Sequence, residues 1–280
     1  MSKQTGRPIL RYHGGKFKLA PWIIGHFPKH RNYVEAFGGA ASVLMQKPRS
    51  KSEVYNDKWD VVVNVFQVLR NPELAQQLQR VLLLTPYART EFEMTGDILL
   101  HEIADPVEKA RRTILRSFAG FGSAATNAKY ATGFRANNSS NGTNCAVDWA
   151  NYPSYVPNFI ERLKGVVIEN RDYREILAQQ DGADTLFFLD PPYPHSTRNM
   201  ARGNAAYAEE MSDQDHIDMA AVVKKVRGGV IIAGYDCPLY QDLFREWHIS
   251  QKMTFADGAR PRVECLWSNR PFNNVNKLFL

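Results

Sequence analysis

Three cysteines in 280 residues, Cys145, Cys237 and Cys265, include no Cys-x-x-Cys pair and leave an odd one over. Neither a disulfide framework nor a cysteine zinc site is therefore supported. Metal-ligand histidine spacings are equally scarce. His101-Glu102 begins like a zinc-protease motif, but the position that needs the second histidine is Asp105, so no metal is expected. No apolar run approaches the roughly 20 residues that cross a bilayer. The start, Met1-Ser2-Lys3-Gln4-Thr5-Gly6, has no apolar signal core, which predicts a cytoplasmic chain. Acidic residues are missing from two stretches. Before Glu35 there are seven Lys or Arg and no acid, and from Lys109 to Val147 there are Lys109, Arg111, Arg112, Arg116, Lys129 and Arg135, again with no acid. With a net charge of +6, two one-sign blocks predict a polyanionic partner, since solvated faces usually interleave their charges. Arg111, Arg112, Arg116, Lys129 and Arg135 are the candidate contacts to nucleic-acid phosphates.

What is present is a core. A 44% hydrophobic content suits one large domain, or one domain carrying an insertion. Thr185-Leu186-Phe187-Phe188-Leu189 reads as a strand buried on both faces, and Asp190-Pro191-Pro192-Tyr193 closes it. A carboxylate, two rigid prolines and an aromatic ring at a strand end can hold a planar base bearing an exocyclic amine. Asp190 and the Pro191 carbonyl can accept the two amine hydrogens, and Tyr193 offers a ring face for stacking. Prolines donate no N–H, so the turn presents acceptors.

Leu19, Trp22, Ile23 and Phe27 share a helical face, and Tyr33–Phe37 follows as a strand ending in Gly38-Gly39. Ala40–Met45 is expected to continue as a helix whose first amides face the strand end. Glu53–Asn56 is a second strand, closed by Asp57 18 residues after Gly39, near the roughly 20-residue offset at which an acid reaches ribose hydroxyls in nucleoside-binding α/β folds. Trp59 to Leu69 makes an amphipathic helix that stops at Asn71-Pro72. Helix-rich sequence follows, with Asp105-Pro106 as a start signal; then Ala119–Asn144 loses periodicity. Alternation resumes with the strand Val166–Glu169, Asp172, the helix Tyr173–Gln179 and the strand that carries Asp190. After a polar loop come a helix capped by Ser212, the strand Val230–Ala233, a helix ending near Trp247 and two final strands around Asp257-Gly258. Gly39 to Asp190 spans 151 residues, whereas three βα steps at roughly 30 residues per βαβ unit need well under 100. An inserted unit is therefore expected at 72–152, between parts 1–71 and 153–280 of a catalytic domain. No internal repeat is visible.

In this order the chain resembles the Dam-type DNA adenine methyltransferases. Arg11-Tyr12-His13-Gly14-Gly15-Lys16 is similar to that family's Lys-Trp-x-Gly-Gly-Lys segment, and Tyr33–Val43 to its strand-turn-helix motif written with Glu-Pro-Phe-x-Gly-x-Gly. Asp57, Asp172 and Asp190–Tyr193 follow in the expected sequence. The resemblance implies a doubly wound, mostly parallel Rossmann-like sheet with an antiparallel C-terminal hairpin and an inserted helical DNA-recognition unit. It implies S-adenosylmethionine as methyl donor without a metal, and the 6-amino group of an adenine flipped from double-stranded DNA as acceptor, by a chain expected to act as a monomer. Tyr12, Lys16, Phe37, Gly39, Asp57, Asp172 and Asp190 are implied at the cofactor; Asp190, Pro191 and Tyr193 are implied at the base. Ala36 stands where the motif has proline, Ala41 where it has its second glycine, and Tyr12 where it has tryptophan. Two other readings stay open: methylation of another exocyclic amine, on cytosine in DNA or guanine in ribosomal RNA, and a silent DNA-binding protein of the same fold.

Overall fold

The computed structural model describes residues 6–96, 99–121, 132–136, 144–197, 209–255 and 261–273. Lys129 and the Asp257-Gly258 turn lie outside the described residues. Seven strands form one sheet: β1 (Asn32–Glu35), β2 (Ser52–Asn56), β3 (Val166–Glu169), β4 (Thr185–Leu189), β5 (Gly229–Tyr235), β6 (His248–Phe255) and β7 (Pro261–Ser268). Their order is β3-β2-β1-β4-β5-β7-β6. The first five run parallel, and β7 is antiparallel to both neighbours. The direction of winding reverses between β1 and β4, which opens a crevice at their C-terminal ends where α/β folds take ligands. Register places Glu35 level with Phe188, so the segments leaving β1 and β4 rise side by side.

The helices are α1 (Ala20–Gly25), α2 (Asp60–Arg70), α3 (Pro72–Leu84), α4 (Arg89–Met94), α5 (Pro106–Ala119), α6 (Cys145–Asn151), α7 (Val156–Leu163), α8 (Tyr173–Gln180), α9 (Asp213–Val223) and α10 (Pro238–Leu243). Alternation along the central strands divides the core in two. Tyr33, Tyr55, Leu186 and Phe188 pack on one face with α2, α5 and α7, while Val34, Val54, Phe187 and Leu189 pack on the other with α8 and α9. This two-sided burial is why β4 reads as an unbroken apolar run. Several helix starts follow from side chains that cap orphan amides: Asn71 before α3, Asp105 before α5, and a reciprocal Ser212–Asp215 box at α9. α10 stops at Leu243 rather than near Trp247; the Phe244 backbone at its end has left helical geometry.

Described residues of 72–152 pack into the core of the sheet. Ile114, Leu115, Phe118, Trp149 and Tyr152 belong to the same buried cluster as Tyr55 and Phe188 of the sheet. The N-terminal segment ties into it as well: the Tyr152 hydroxyl donates to the Ile9 carbonyl at 2.8 Å, and the Arg7 guanidinium lies over the rings of Phe118 and Tyr152. Beyond α5 the chain doubles back. Phe121 N–H donates to the Gly133 carbonyl (2.8 Å) and Arg135 N–H to the Ala119 carbonyl (2.7 Å), around an antiparallel bridge between Gly120 and Phe134.

Ala40–Met45 departs from expectation, being a series of turns and not an α-helix. Ala41 sits at φ 52°, in left-handed space that breaks a right-handed helix. Leu44 N–H donates to the Glu35 carboxylate at 2.9 Å, so it does not feed a helical ladder.

Candidate active site

Above the β1/β4 crevice lies a cleft walled by apolar, aromatic and charged side chains together, the kind of lining that small-molecule sites have. Tyr12, Lys16, Phe37, Gly39, Asp57, Asp172 and Asp190 all line it, from five segments far apart in the chain. Pro191 and Tyr193 do not; the fifth of these segments contributes Phe188, Asp190 and Pro192.

The β1 turn is held by the end of β2. Gly38 N–H donates to the Asn56 carbonyl at 2.7 Å, the Tyr55 hydroxyl to the Gly39 carbonyl at 2.8 Å, and the Asn56 side chain to the Ala36 carbonyl at 2.9 Å. Asp57 accepts from Gly39 N–H at 2.8 Å and from Trp59 N–H at 2.9 Å, so it is a clasp between two turns as well as a cleft wall. Burial raises its pKa. Gly39 itself has φ +47° and faces the Tyr12 ring, a conformation for which glycine carries no Cβ penalty. Asp172 is the N-cap of α8, accepting from Arg174 N–H at 2.9 Å, and it pairs with the Arg174 guanidinium beside the cleft.

Asp190 faces Lys16, whose ammonium stands 2.9 Å from Oδ1 and also donates to the Gly14 carbonyl at 2.7 Å. Burial pushes the Asp190 pKa up to about 6 against the pull of Lys16. The ring of Tyr193 is buried; its hydroxyl donates to Glu264 at 3.0 Å, it lies nearly perpendicular to the Tyr235 ring at a centroid distance of 4.5 Å, and the Lys16 ammonium lies 4.8 Å from its centroid. The stacking face expected from the motif is therefore covered by a cation in this state.

Glu35 received no role from the sequence, although it lies inside the quoted β1 segment. It is buried at the cleft floor, accepts from the Tyr33 hydroxyl at 2.7 Å, and burial raises its pKa to about 8. Trp59 and Tyr173 were legible only as helix residues, yet both line the cleft, and the Tyr173 ring lies 5.0 Å from that of Phe37.

Arg111, Arg112 and Arg116 of the insertion are engaged by protein. Arg111 pairs with Glu108 at 2.6 Å and Glu91 at 3.1 Å, and Arg112 with Glu108 at 2.6 Å and the Met94 carbonyl at 2.9 Å. Arg116 is buried and donates to the Thr95 hydroxyl at 3.2 Å. In the N-terminal block, Arg7 and Arg11 reach Asp148 at 3.3 and 3.5 Å. Acids absent from each block come from elsewhere in the chain, so the charge runs alone do not define a phosphate-binding face. The Arg135 guanidinium forms no ion pair with a described residue.

A doubly wound sheet ordered in this way, with an aspartate-proline-proline-tyrosine turn at the switch point, is the architecture of a Rossmann-like methyltransferase. The chain belongs to the D12 class N6 adenine-specific DNA methyltransferase family, whose model matches residues 12–256. It is also 24% identical over 215 residues to modification methylase LlaI of Lactococcus lactis subsp. lactis; the match covers 73% of this chain and 32% of that protein. The chain thus spans about a third of the length of that curated relative.

Proposed function

We propose that this protein transfers a methyl group from S-adenosylmethionine to the 6-amino group of an adenine flipped out of double-stranded DNA. The observation that carries the reading is Asp190 at the end of β4, paired with Lys16, on the wall of the switch-point cleft. The cleft suits the donor. Seven acidic side chains line it, the buried Glu35 held neutral by its raised pKa and Asp57, Asp172, Asp190, Glu209, Glu210 and Asp215 beside it, against three cations, Lys16, Lys58 and Arg174, in a chain whose net charge is +6. An acid-rich cavity with Phe37, Trp59 and Tyr173 in its walls fits a cationic ligand that carries a purine. When bound, S-adenosylmethionine supplies a methyl already activated on a sulfonium, so the protein's task is alignment.

Asp190 and the Pro191 carbonyl are suited to accept the two amine hydrogens and so orient the nitrogen lone pair. Asp190 must be ionised to do so, and Lys16 favours that form. A base in a duplex cannot reach the cleft, so the target leaves the stack. For it to lie on the Tyr193 ring, the Lys16 ammonium has to swing off that face. Residues 72–152 are proposed as the DNA-recognition part, with Arg135 near the Gly120–Phe134 bridge as a phosphate contact, and the protein is proposed to act as a monomer. The test is expression in a methylation-free bacterial host followed by sequencing that detects modified bases. Methyladenine at one recurring site supports the reading; methylcytosine, or no modification from a protein that binds DNA, overturns it.

A further inference from the structure

We propose that Glu264, on β7, is a positioning residue for methyl transfer that fixes the Tyr193 side chain against the end of β4; this rests on the reading of Asp190–Tyr193 as the target-amine site. The C-terminal hairpin is far in sequence from that motif, yet antiparallel pairing sets Glu264 directly opposite Tyr235, the last residue of β5. Tyr235 meets the Tyr193 ring edge to face at a centroid distance of 4.5 Å. Glu264 is 5% exposed, and its Oε2 accepts the Tyr193 hydroxyl at 3.0 Å. A buried carboxylate is costly to desolvate, and its position at the Tyr193 hydroxyl gives that hydroxyl a defined direction. Tyr193 is thus held by Tyr235 at its ring and by Glu264 at its tip, and the Lys16 ammonium has to leave the ring for a base to stack there.

Glu264 also acts on Asp190 by charge. Lys16 from the N-terminal segment and Glu264 from β7 both bear on the buried Asp190 carboxyl, the cation favouring its ionisation and the acid opposing it. Across the hairpin, Lys252 of β6 lies in register with Glu264. Two separable consequences follow. Removing the acceptor takes away one of the two carboxyl groups that the Tyr193 side chain engages and leaves Asp190 as the other, whereas removing only the charge lets Asp190 ionise at lower pH.

The experiment uses the duplex site that sequencing identifies and purified Glu264→Gln, Glu264→Ala, Tyr193→Phe and the double variant Glu264→Ala/Tyr193→Phe. Glu264→Gln keeps an acceptor oxygen and is expected to keep kcat while the acid limb of its pH profile moves to lower pH. Glu264→Ala is expected to show that limb shift with a fall in kcat of about fivefold to tenfold, the scale of one hydrogen bond, at unchanged calorimetric affinity for S-adenosylmethionine. The double variant should be no slower than its worse single parent. 2-Aminopurine at the target position should brighten more on binding Glu264→Ala than on binding wild type, because the quenching ring is less well held. Wild-type kcat in Glu264→Ala, or losses that multiply in the double variant, would overturn the proposal. If Glu264→Ala does not fold, an unmoved acid limb in Glu264→Gln overturns it. Absence of methyladenine with the wild-type protein instead removes the reading of the site beneath it.

Discussion

Replacing each of the two adjacent glycines after β1 by alanine should cost very different amounts. A Cβ at Gly38 would stand 2.2 Å from Cε2 and 2.5 Å from Cδ2 of Tyr55, and 3.0 Å from the Asn56 carbonyl oxygen. Ordinary carbon contacts need about 3.5–4.0 Å, so either the ring or the turn must move by more than about 1 Å. Tyr55 has little room to do so. It is fully buried, packs 4.2 Å from the Phe66 ring and donates its hydroxyl to Gly39. Overpacking at about 1–3 kcal/mol plus about 1 kcal/mol for the hydrogen bond gives a loss of roughly 2–4 kcal/mol. At Gly39 the added Cβ meets the Tyr12 ring at 3.0 Å, and that side chain is only half-buried and can yield. The left-handed backbone then costs about 1–2 kcal/mol, offset by about 0.4–1 kcal/mol from a stiffer unfolded chain. At roughly 2–4 °C per kcal/mol for a domain of this size, Gly39→Ala should melt no more than about 6 °C below wild type, and Gly38→Ala, which gains the same unfolded-chain offset, should melt below Gly39→Ala. Gly39→Ala should nevertheless weaken S-adenosylmethionine, because its methyl enters the cleft wall. Thermal melts and calorimetry on the two variants decide the matter. Equal melting temperatures, or Gly39→Ala as the less stable of the pair, would refute the view of Tyr55 as a fixed backing for this turn.

Methyl transfer should fall on the acid side with an apparent pKa near 6, because burial raises Asp190 to about that value and only its ionised form accepts from an amine. Rates at pH 5 should be about tenfold below the plateau, and a flat profile from pH 5 to 8 would remove Asp190 from the titration. Arg111→Ala should lower the melting temperature through its lost pairs with Glu108 and Glu91 while leaving the salt dependence of DNA binding unchanged. Arg135→Ala should flatten that dependence by about one unit of slope, and the reverse pattern would return the phosphate contacts to α5. Ala41→Gly should leave the melting temperature within about 2 °C of wild type, since relief of about 1–2 kcal/mol of left-handed strain is met by chain entropy and a lost buried methyl worth about 0.8 kcal/mol; a shift beyond about 5 °C either way would show one of these terms to be misjudged.

The strands were legible because burial on both faces writes itself as uninterrupted apolar runs, as in Thr185–Leu189, and the helix starts because Asn71, Asp105 and Ser212 cap through local geometry. The residues that the resemblance implies at the cofactor were legible as a motif, and Tyr12, Lys16, Phe37, Gly39, Asp57, Asp172 and Asp190 line one cleft. What failed was whatever depends on partners distant in the chain. The basic blocks were read as one-sign because Asp148 lies outside the N-terminal run, and Glu91 and Glu108 precede the second. Ala40–Met45 carries good helix formers, but the Glu35 carboxylate takes the Leu44 amide and Ala41 turns left-handed, two tertiary facts no local pattern contains. Tyr193 was read for its ring face. Its hydroxyl meets Glu264 from a hairpin 71 residues later, and nothing in the motif signals that partner.

The central claim is that Asp190 at the switch point orients a target amine. It is tested most directly by measuring single-turnover methyl transfer, DNA affinity and S-adenosylmethionine affinity in one preparation of Asp190→Ala beside wild type. Transfer reduced by about a hundredfold or more, with DNA affinity retained because phosphate contacts dominate it, is the predicted result. Transfer at the wild-type rate from a variant that still binds both ligands would contradict the account.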